Sequence, residues 1–205
     1  MVTEGAFGKI ENPEMEKGIN MAARATKRLE MLVEDLLEVS RLEQGRFQIN
    51  SAKIDLAPIV EEVVSQFKVQ AGEKNLALEY SAPVEKLPEI FADPERIKQV
   101  LVNLIGNAIK YTEKGSVKIS AEFKNQMVEI RIIDTGIGMS AEDQQRLFQK
   151  FYRVQNEKTA KIIGTGLGLW ITKQMVELMK GKISVESMEG VGTQTAVRFN
   201  PAEKV

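Results

Sequence analysis

The stretch DPERIKQVLVNLIGNAIKYT, Asp93 to Thr112, decides how the rest of the chain is read. Asp93 can accept from the free N–H groups of a first helical turn, and Pro94 stands where its missing donor costs nothing. Ile97, Val100, Leu101, Leu104, Ala108 and Ile109 recur at steps of three and four, one buried stripe of a helix. Asn103 and Asn107 do not belong to that stripe. They stand four apart on one face, and Lys110 and Tyr111 continue it a turn later. Asparagine is a mediocre helix former because its side chain competes for backbone groups. Two in line beside a lysine suit either a solvated face or a ligand strip. In the second case a neutral amide oxygen fits a hard divalent cation that takes its other ligands from water and phosphate.

Working outward toward the N-terminus, residues 1–14 carry glycines, a proline and little periodicity, and are expected to form a loop or tail. From Met15 to about Glu43 the seam Ala22, Ala25, Leu29, Leu32, Leu36, Val39 has a period of 3.5, widened by Val33 and Leu37. The spacing predicts a long amphipathic helix ending near Gly45. A helix of that length needs a partner for its stripe, so a dimer seam is expected. Phe47–Ile54 alternates like a strand. Asp55 can cap a helix over Leu56–Glu73, Leu76–Ser81 reads as a strand, and a Pro-containing turn leads to the short apolar Glu89–Ala92. Beyond the asparagine helix, Ser116–Phe123 and Met127–Ile133 form an expected hairpin. Ser140–Phe148 is short and charged, and Tyr152–Ile163 is polar and aperiodic, a mobile-loop candidate. Leu167–Met179 is helical, followed by a strand pair at Lys182–Glu186 and Thr193–Phe199.

Composition narrows the function. The chain has 205 residues, with 28 basic against 29 acidic side chains, so nucleic acid is not an expected partner. No apolar run is long enough to span a bilayer, and no signal peptide opens the chain. The absence of cysteine excludes disulfides and thiolate metal sites. There is also no histidine.

Two glycine stretches offer chemistry. Asp134-Thr135-Gly136-Ile137-Gly138 follows an apolar strand, and a carboxylate there is costly unless a donor meets it. A purine exocyclic amine is one such donor; a tight turn capped by aspartate explains the motif equally well. Gly164-Thr165-Gly166-Leu167-Gly168-Leu169 is neither a dinucleotide fingerprint nor a P-loop. It is either a hinge or a helix opening whose N–H groups can seat phosphate oxygens. Between them lies Phe148-Gln149-Lys150-Phe151-Tyr152-Arg153, whose two phenylalanines read as core anchors and whose arginine can reach a phosphate or stay solvated.

The order N-x-x-x-N-A-x-K-Y, D-x-G-x-G, F-x-x-F-Y-R, G-T-G-L-G-L and Gly192-Thr193 resembles the ATP-binding domain of sensor histidine kinases. These belong to a larger family that also holds gyrase, the heat-shock ATPase chaperone and mismatch-repair ATPases. The resemblance runs from Phe47 to Pro201. It implies an α+β, two-layer sandwich: a mixed, mostly antiparallel sheet with three helices on one face, behind a long amphipathic helix. It divides the chain into a tail at 1–14, a partial dimerisation helix at 15–45 and an ATP-binding catalytic domain at 46–201.

The same resemblance implies roles. Asn107 would hold Mg²⁺, supported by Asn103. Lys110, and with it Arg153, would stabilise phosphate charge, and Tyr111 would line the pocket. Asp134 would receive the adenine amine, with Gly136, Ile137 and Gly138 as pocket wall and Thr193 completing it. Gly164, Thr165, Gly166, Leu167, Gly168 and Leu169 would form the lid over the triphosphate of ATP. Arg28-Leu29 and Leu32–Glu43 look like the second helix of a dimerisation and phosphoacceptor hairpin. Such kinases phosphorylate a histidine on the first helix, which this chain lacks. The expectation is a fragment or split form that transfers the γ-phosphoryl group to a histidine elsewhere and then serves a response regulator. A nucleotide-binding or dimerisation module without transferase activity, or an ATPase or serine kinase of the same superfamily, is the alternative. The resemblance also implies a cytoplasmic segment, any membrane anchor of the intact protein lying in other segments.

Overall fold

The computed structural model describes residues 12–154, 159, 162 and 164–202. The tail at 1–11 and most of the polar stretch 155–163 lie outside the described residues.

The first helix, α1 (Pro13–Glu43), opens two residues before the apolar pattern does. Asn12 caps it, accepting from the N–H groups of Glu14 and Met15, and Pro13 occupies the first turn, so Pro13 and Glu14 are helical rather than loop. The expected seam is mostly bare: Leu29, Val33 and Leu37 are 62%, 55% and 54% exposed, and Val39 is buried. Residues 47–51 are not strand. Phe47 lies under the Arg96 guanidinium at 4.5 Å, and the Asn50 N–H donates to the Asp93 carboxylate at 2.8 Å. Only β1 (Ala52–Ile54) pairs, antiparallel with the equally short β3 (Ile90–Ala92).

Asp55 caps α2 (Leu56–Gln66), which breaks at Phe67 before α3 (Lys68–Glu73). β2 (Ala77–Ser81) leads by way of β3 to α4 (Pro94–Tyr111), the asparagine helix, capped by Asp93 as its sequence requires. β4 (Ser116–Lys124) and β5 (Met127–Asp134) turn through Asn125 and Gln126, both at positive φ, the backbone a tight hairpin needs. A short α5 (Ala141–Arg146), α6 (Gly168–Leu178), β6 (Lys182–Met188) and β7 (Gly192–Phe199) complete the order.

The main sheet runs β2-β4-β5-β7-β6, with β2 parallel to β4 and the other neighbours antiparallel. Alternation fixes its faces. Ile119, Ile132, Thr195 and Val185 share one row of register, and Val117, Asp134, Thr193 and Ser187 share the next toward one end. On that face the stripes of α2, α4 and α6 pack, with Val60, Leu101, Ile105 and Met175 fully buried. Each such side chain contributes about 1.5–3 kcal/mol. On the other face Glu129 lies between Arg131 and Arg198, both of which donate to it, and burial of its carboxylate is outweighed by those cations, which hold its pKa down. Among the described residues no helix is long and apolar enough to cross a membrane.

Candidate functional site

Helix α4 builds one wall of a cavity of about 690 Å³. Its apolar stripe is committed to the core, which turns Asn103, Asn107, Lys110 and Tyr111 toward the opening between the helix layer and the loop before α6. The Asn107 side-chain N–H donates to Asn103 Oδ1 at 3.3 Å, and Asn103 Nδ2 donates to Thr172 Oγ1 at 2.7 Å. One N–H of Asn107 is thus engaged, and no hydrogen bond to its oxygen is formed among the described residues, which leaves that oxygen available to the cavity that Asn107 lines. Burial, with the nearby Arg153 charge second, pulls the Lys110 pKa down. A phosphate beside the ammonium would reverse that bias. Burial raises the Tyr111 pKa.

The end of β5 supplies the acid. Asp134 faces inward in register with Thr193, and only 9% of it is exposed. One carboxylate oxygen accepts from the Gly136 N–H at 2.9 Å. Burial raises its pKa, against the lowering effect of hydrogen bonds from the Gly136 and Thr193 backbone. An additional donor in the cavity, such as an exocyclic amine, would relieve that cost. The wall continues through Ile137 and Gly138. Gly138 sits at φ +64°, and a Cβ there would lie 1.9 Å from the Met188 carbonyl oxygen, so only glycine lets the loop close against β6.

The second glycine loop lines the opposite side through Gly164, Thr165, Gly166, Gly168 and Leu169. Gly168 has a packing reason as well: a Cβ there would come within 2.9 Å of Asn103 Oδ1. Arg153 also lines the cavity, but its guanidinium donates to the carbonyls of Gly164, at 3.1 Å, and Ile162. It clamps the loop rather than pointing free. Two expected residues stand back. Leu167 is fully buried in the core, and Gly136 is buried behind Asp134, its nearest neighbours including the Tyr111 carbonyl. Phe151 is not a core anchor. It is 61% exposed at φ +61°, and its backbone, not its ring, meets Gly166.

Several contributors were not read from the sequence. Thr172, one turn after Gly168, accepts from Asn103, and nothing local in the sequence marks it. Lys74 donates to the carbonyls of Ile109, Lys110 and Thr112, a contact 35 residues or more away that no local pattern reveals. From α1, Asp35 accepts from the Thr165 hydroxyl, Glu38 from Gln99 at 2.8 Å, and Glu43 from Lys150, so the long helix touches the lid side of the cavity. Among the described residues no cluster of three or more acidic or imidazole groups can hold a metal unaided. A cation here would depend on Asn107 and on oxygens brought by a ligand, which suits Mg²⁺ carried by phosphates.

Comparison with known proteins agrees with this geometry. Residues 92–203 match the family described as histidine kinase-, DNA gyrase B-, and HSP90-like ATPase. An uncharacterized sensor-like histidine kinase of Rhizobium meliloti (strain 1021) is 35% identical over 192 residues, 93% of this chain and 36% of that protein. This chain therefore spans about a third of the length of that curated relative. Full-length ShkA in complex with AMPPNP superposes with a TM-score of 0.78 at 28% identity, over 96% of this chain and 41% of that one. Histidine kinase ThkA, solved in complex with the response regulator protein TrrA, gives 0.73 at 25% identity, over 94% of this chain and 53% of that one. The chain belongs to the histidine kinase-, DNA gyrase B- and HSP90-like ATPase family, and its relatives there are sensor histidine kinases.

Proposed function

We propose that the chain is the ATP- and Mg²⁺-binding catalytic part of a two-component sensor histidine kinase, which moves the γ-phosphoryl group of ATP to a histidine it does not itself carry. One observation supports this most: the asparagine pair of α4, the buried Asp134 and the G-T-G-L-G loop, far apart in sequence, line a single cavity. Asp134 suits the adenine amine, because a buried acceptor with a raised pKa gains from a donor. Lys110 suits the phosphates, and Arg153, holding the Gly164 carbonyl, orders the loop above them. Mg²⁺ supplies charge neutralisation between the phosphates, with Asn107 as its protein ligand. Catalysis of phosphoryl transfer is mainly positioning and charge stabilisation, so no protein nucleophile is required of this domain.

The acceptor would be a histidine on a dimerisation hairpin, and the phosphoryl group would pass on to a response regulator, as the ThkA complex with TrrA suggests by analogy. The bare seam of α1 supports pairing of two chains, or of this helix with a hairpin partner. The test is incubation with γ-labelled ATP and Mg²⁺, with and without a histidine-bearing hairpin from a relative. Acid-labile, alkali-stable label on the hairpin alone is expected. Alkali-stable label on this chain, steady ATP turnover without transfer, or phosphoserine on a partner would each turn the assignment toward another activity.

A further inference from the structure

We infer that Thr172 is a positioning residue that fixes which way round the two asparagine amides face, and so sets the affinity of the site for a divalent cation. This rests on the nucleotide reading above. The two ends of an asparagine amide are almost the same shape, so packing cannot distinguish them; only hydrogen-bond partners can. With its oxygen toward the cavity Asn107 is a cation ligand. With its amino group there it repels one.

Three observations build the relay. Thr172 lies on α6, is 2% exposed, and its Oγ1 accepts from Asn103 Nδ2 at 2.7 Å. Asn103 Oδ1 in turn accepts from Asn107 Nδ2 at 3.3 Å. Gly168, one turn before Thr172, has no side chain to displace the Asn103 amide, whose oxygen lies 2.9 Å from where a Cβ would stand. The Thr172 hydroxyl has one proton and two lone pairs, and toward Asn103 it is the acceptor. The acceptor on Thr172 selects the amino end of Asn103, the oxygen of Asn103 selects the amino end of Asn107, and the oxygen of Asn107 is left facing the cavity. Direction is passed along two hydrogen bonds from a buried threonine in the cavity wall.

The test compares the wild-type chain with Thr172→Val, Thr172→Ser and Asn107→Ala by calorimetry. Mg²⁺ is titrated at saturating ATP, and ATP is titrated separately in EDTA. Valine matches the shape of threonine without the acceptor. It is expected to weaken apparent Mg²⁺ affinity about ten- to a hundredfold, the usual effect of losing a group that orients a metal ligand, with metal-free ATP affinity unchanged. Serine is expected to restore wild-type Mg²⁺ affinity. A ¹⁵N spectrum should show the Asn103 side-chain amide losing its hydrogen-bonded shift in the valine variant alone. Retained Mg²⁺ affinity in Thr172→Val, while Asn107→Ala loses it, would overturn this inference and leave the functional assignment standing. Equal losses with and without metal, unrescued by serine, would reduce Thr172 to packing and overturn it too. No Mg²⁺ effect even in the wild type would remove both.

Discussion

Lys74→Met should cost the fold about 2–3 kcal/mol, although position 74 lies in neither the core nor any motif. The ammonium of Lys74 meets the carbonyl oxygens of Ile109, Thr112 and Lys110 at 2.7, 2.9 and 3.2 Å. These lie at the C-terminal end of α4, where helix geometry leaves carbonyls without partners and the dipole is negative. A net hydrogen bond to a charged donor contributes about 1.5–3 kcal/mol. One ammonium shared among three acceptors, on a half-buried side chain, amounts to one such bond and a fraction of two more. Methionine keeps the length and the apolar stem but donates nothing. Urea unfolding followed by circular dichroism should show a lower midpoint at unchanged slope, and the melting temperature should fall by about 2–4 °C per kcal/mol. Arginine should restore only part, since its planar fork cannot converge on three oxygens as a tetrahedral ammonium does. The effect should also reach the ligand, because the Tyr111 carbonyl next in line accepts from the Ile137 N–H at 3.2 Å and ties the helix end to the Asp134 loop. Stability within about 0.5 kcal/mol of wild type, the level of an ordinary surface substitution, would refute the capping argument.

Three further outcomes are expected. Asn107→Ala should leave the melting temperature within a few degrees while removing the Mg²⁺-dependent part of ATP affinity, read by calorimetry with and without EDTA. Because burial raises the pKa of Asp134 above the ordinary 3.8, its contribution to the stability of the ligand-free fold is full below that ordinary value and is lost as pH rises through the raised one. ATP binding should have the opposite slope, since an amine needs the ionised acceptor: affinity should fall on acidification, with proton release on binding in the same pH window, and Asp134→Asn should flatten the profile. Gly138→Ala, with its Cβ 1.9 Å from the Met188 oxygen at φ +64°, should destabilise by about 3 kcal/mol, overpacking and left-handed strain together, as a lower urea midpoint will show.

The parts of the fold legible in the sequence are those where local chemistry and final packing agree. Asp93-Pro94 announces α4 because cap and stripe are both local. The hairpin expected of Ser116–Phe123 and Met127–Ile133 forms because both strands alternate, and the structure turns it with positive φ at Asn125 and Gln126. Phe47–Ile54 alternates as cleanly, but its neighbours are claimed elsewhere: Arg96 covers Phe47, Asp93 takes the Asn50 N–H, and β3 is only three residues long. Phe151 defeats a reading by hydrophobicity, since a left-handed backbone turns its ring outward while Gly166 packs beneath the main chain. At the site, motif residues were legible by type and spacing. Thr172 and Lys74 were not, because a buried threonine and a lone lysine gain meaning only from partners brought near by the fold.

The seam between α1 and the body carries three polar contacts: Asp35 to Thr165, Glu38 to Gln99 on α4, and Glu43 to Lys150. Water can stand in for each partner at a net loss of about 1 kcal/mol or less for the exposed pairs. Val39 and Leu42 are the exception, seated on the core from the same helix, so the polar rungs can exchange with water while the arm stays held at that point. For the proposed transfer to a histidine elsewhere, a fastening of that kind would give the body play about one fixed point.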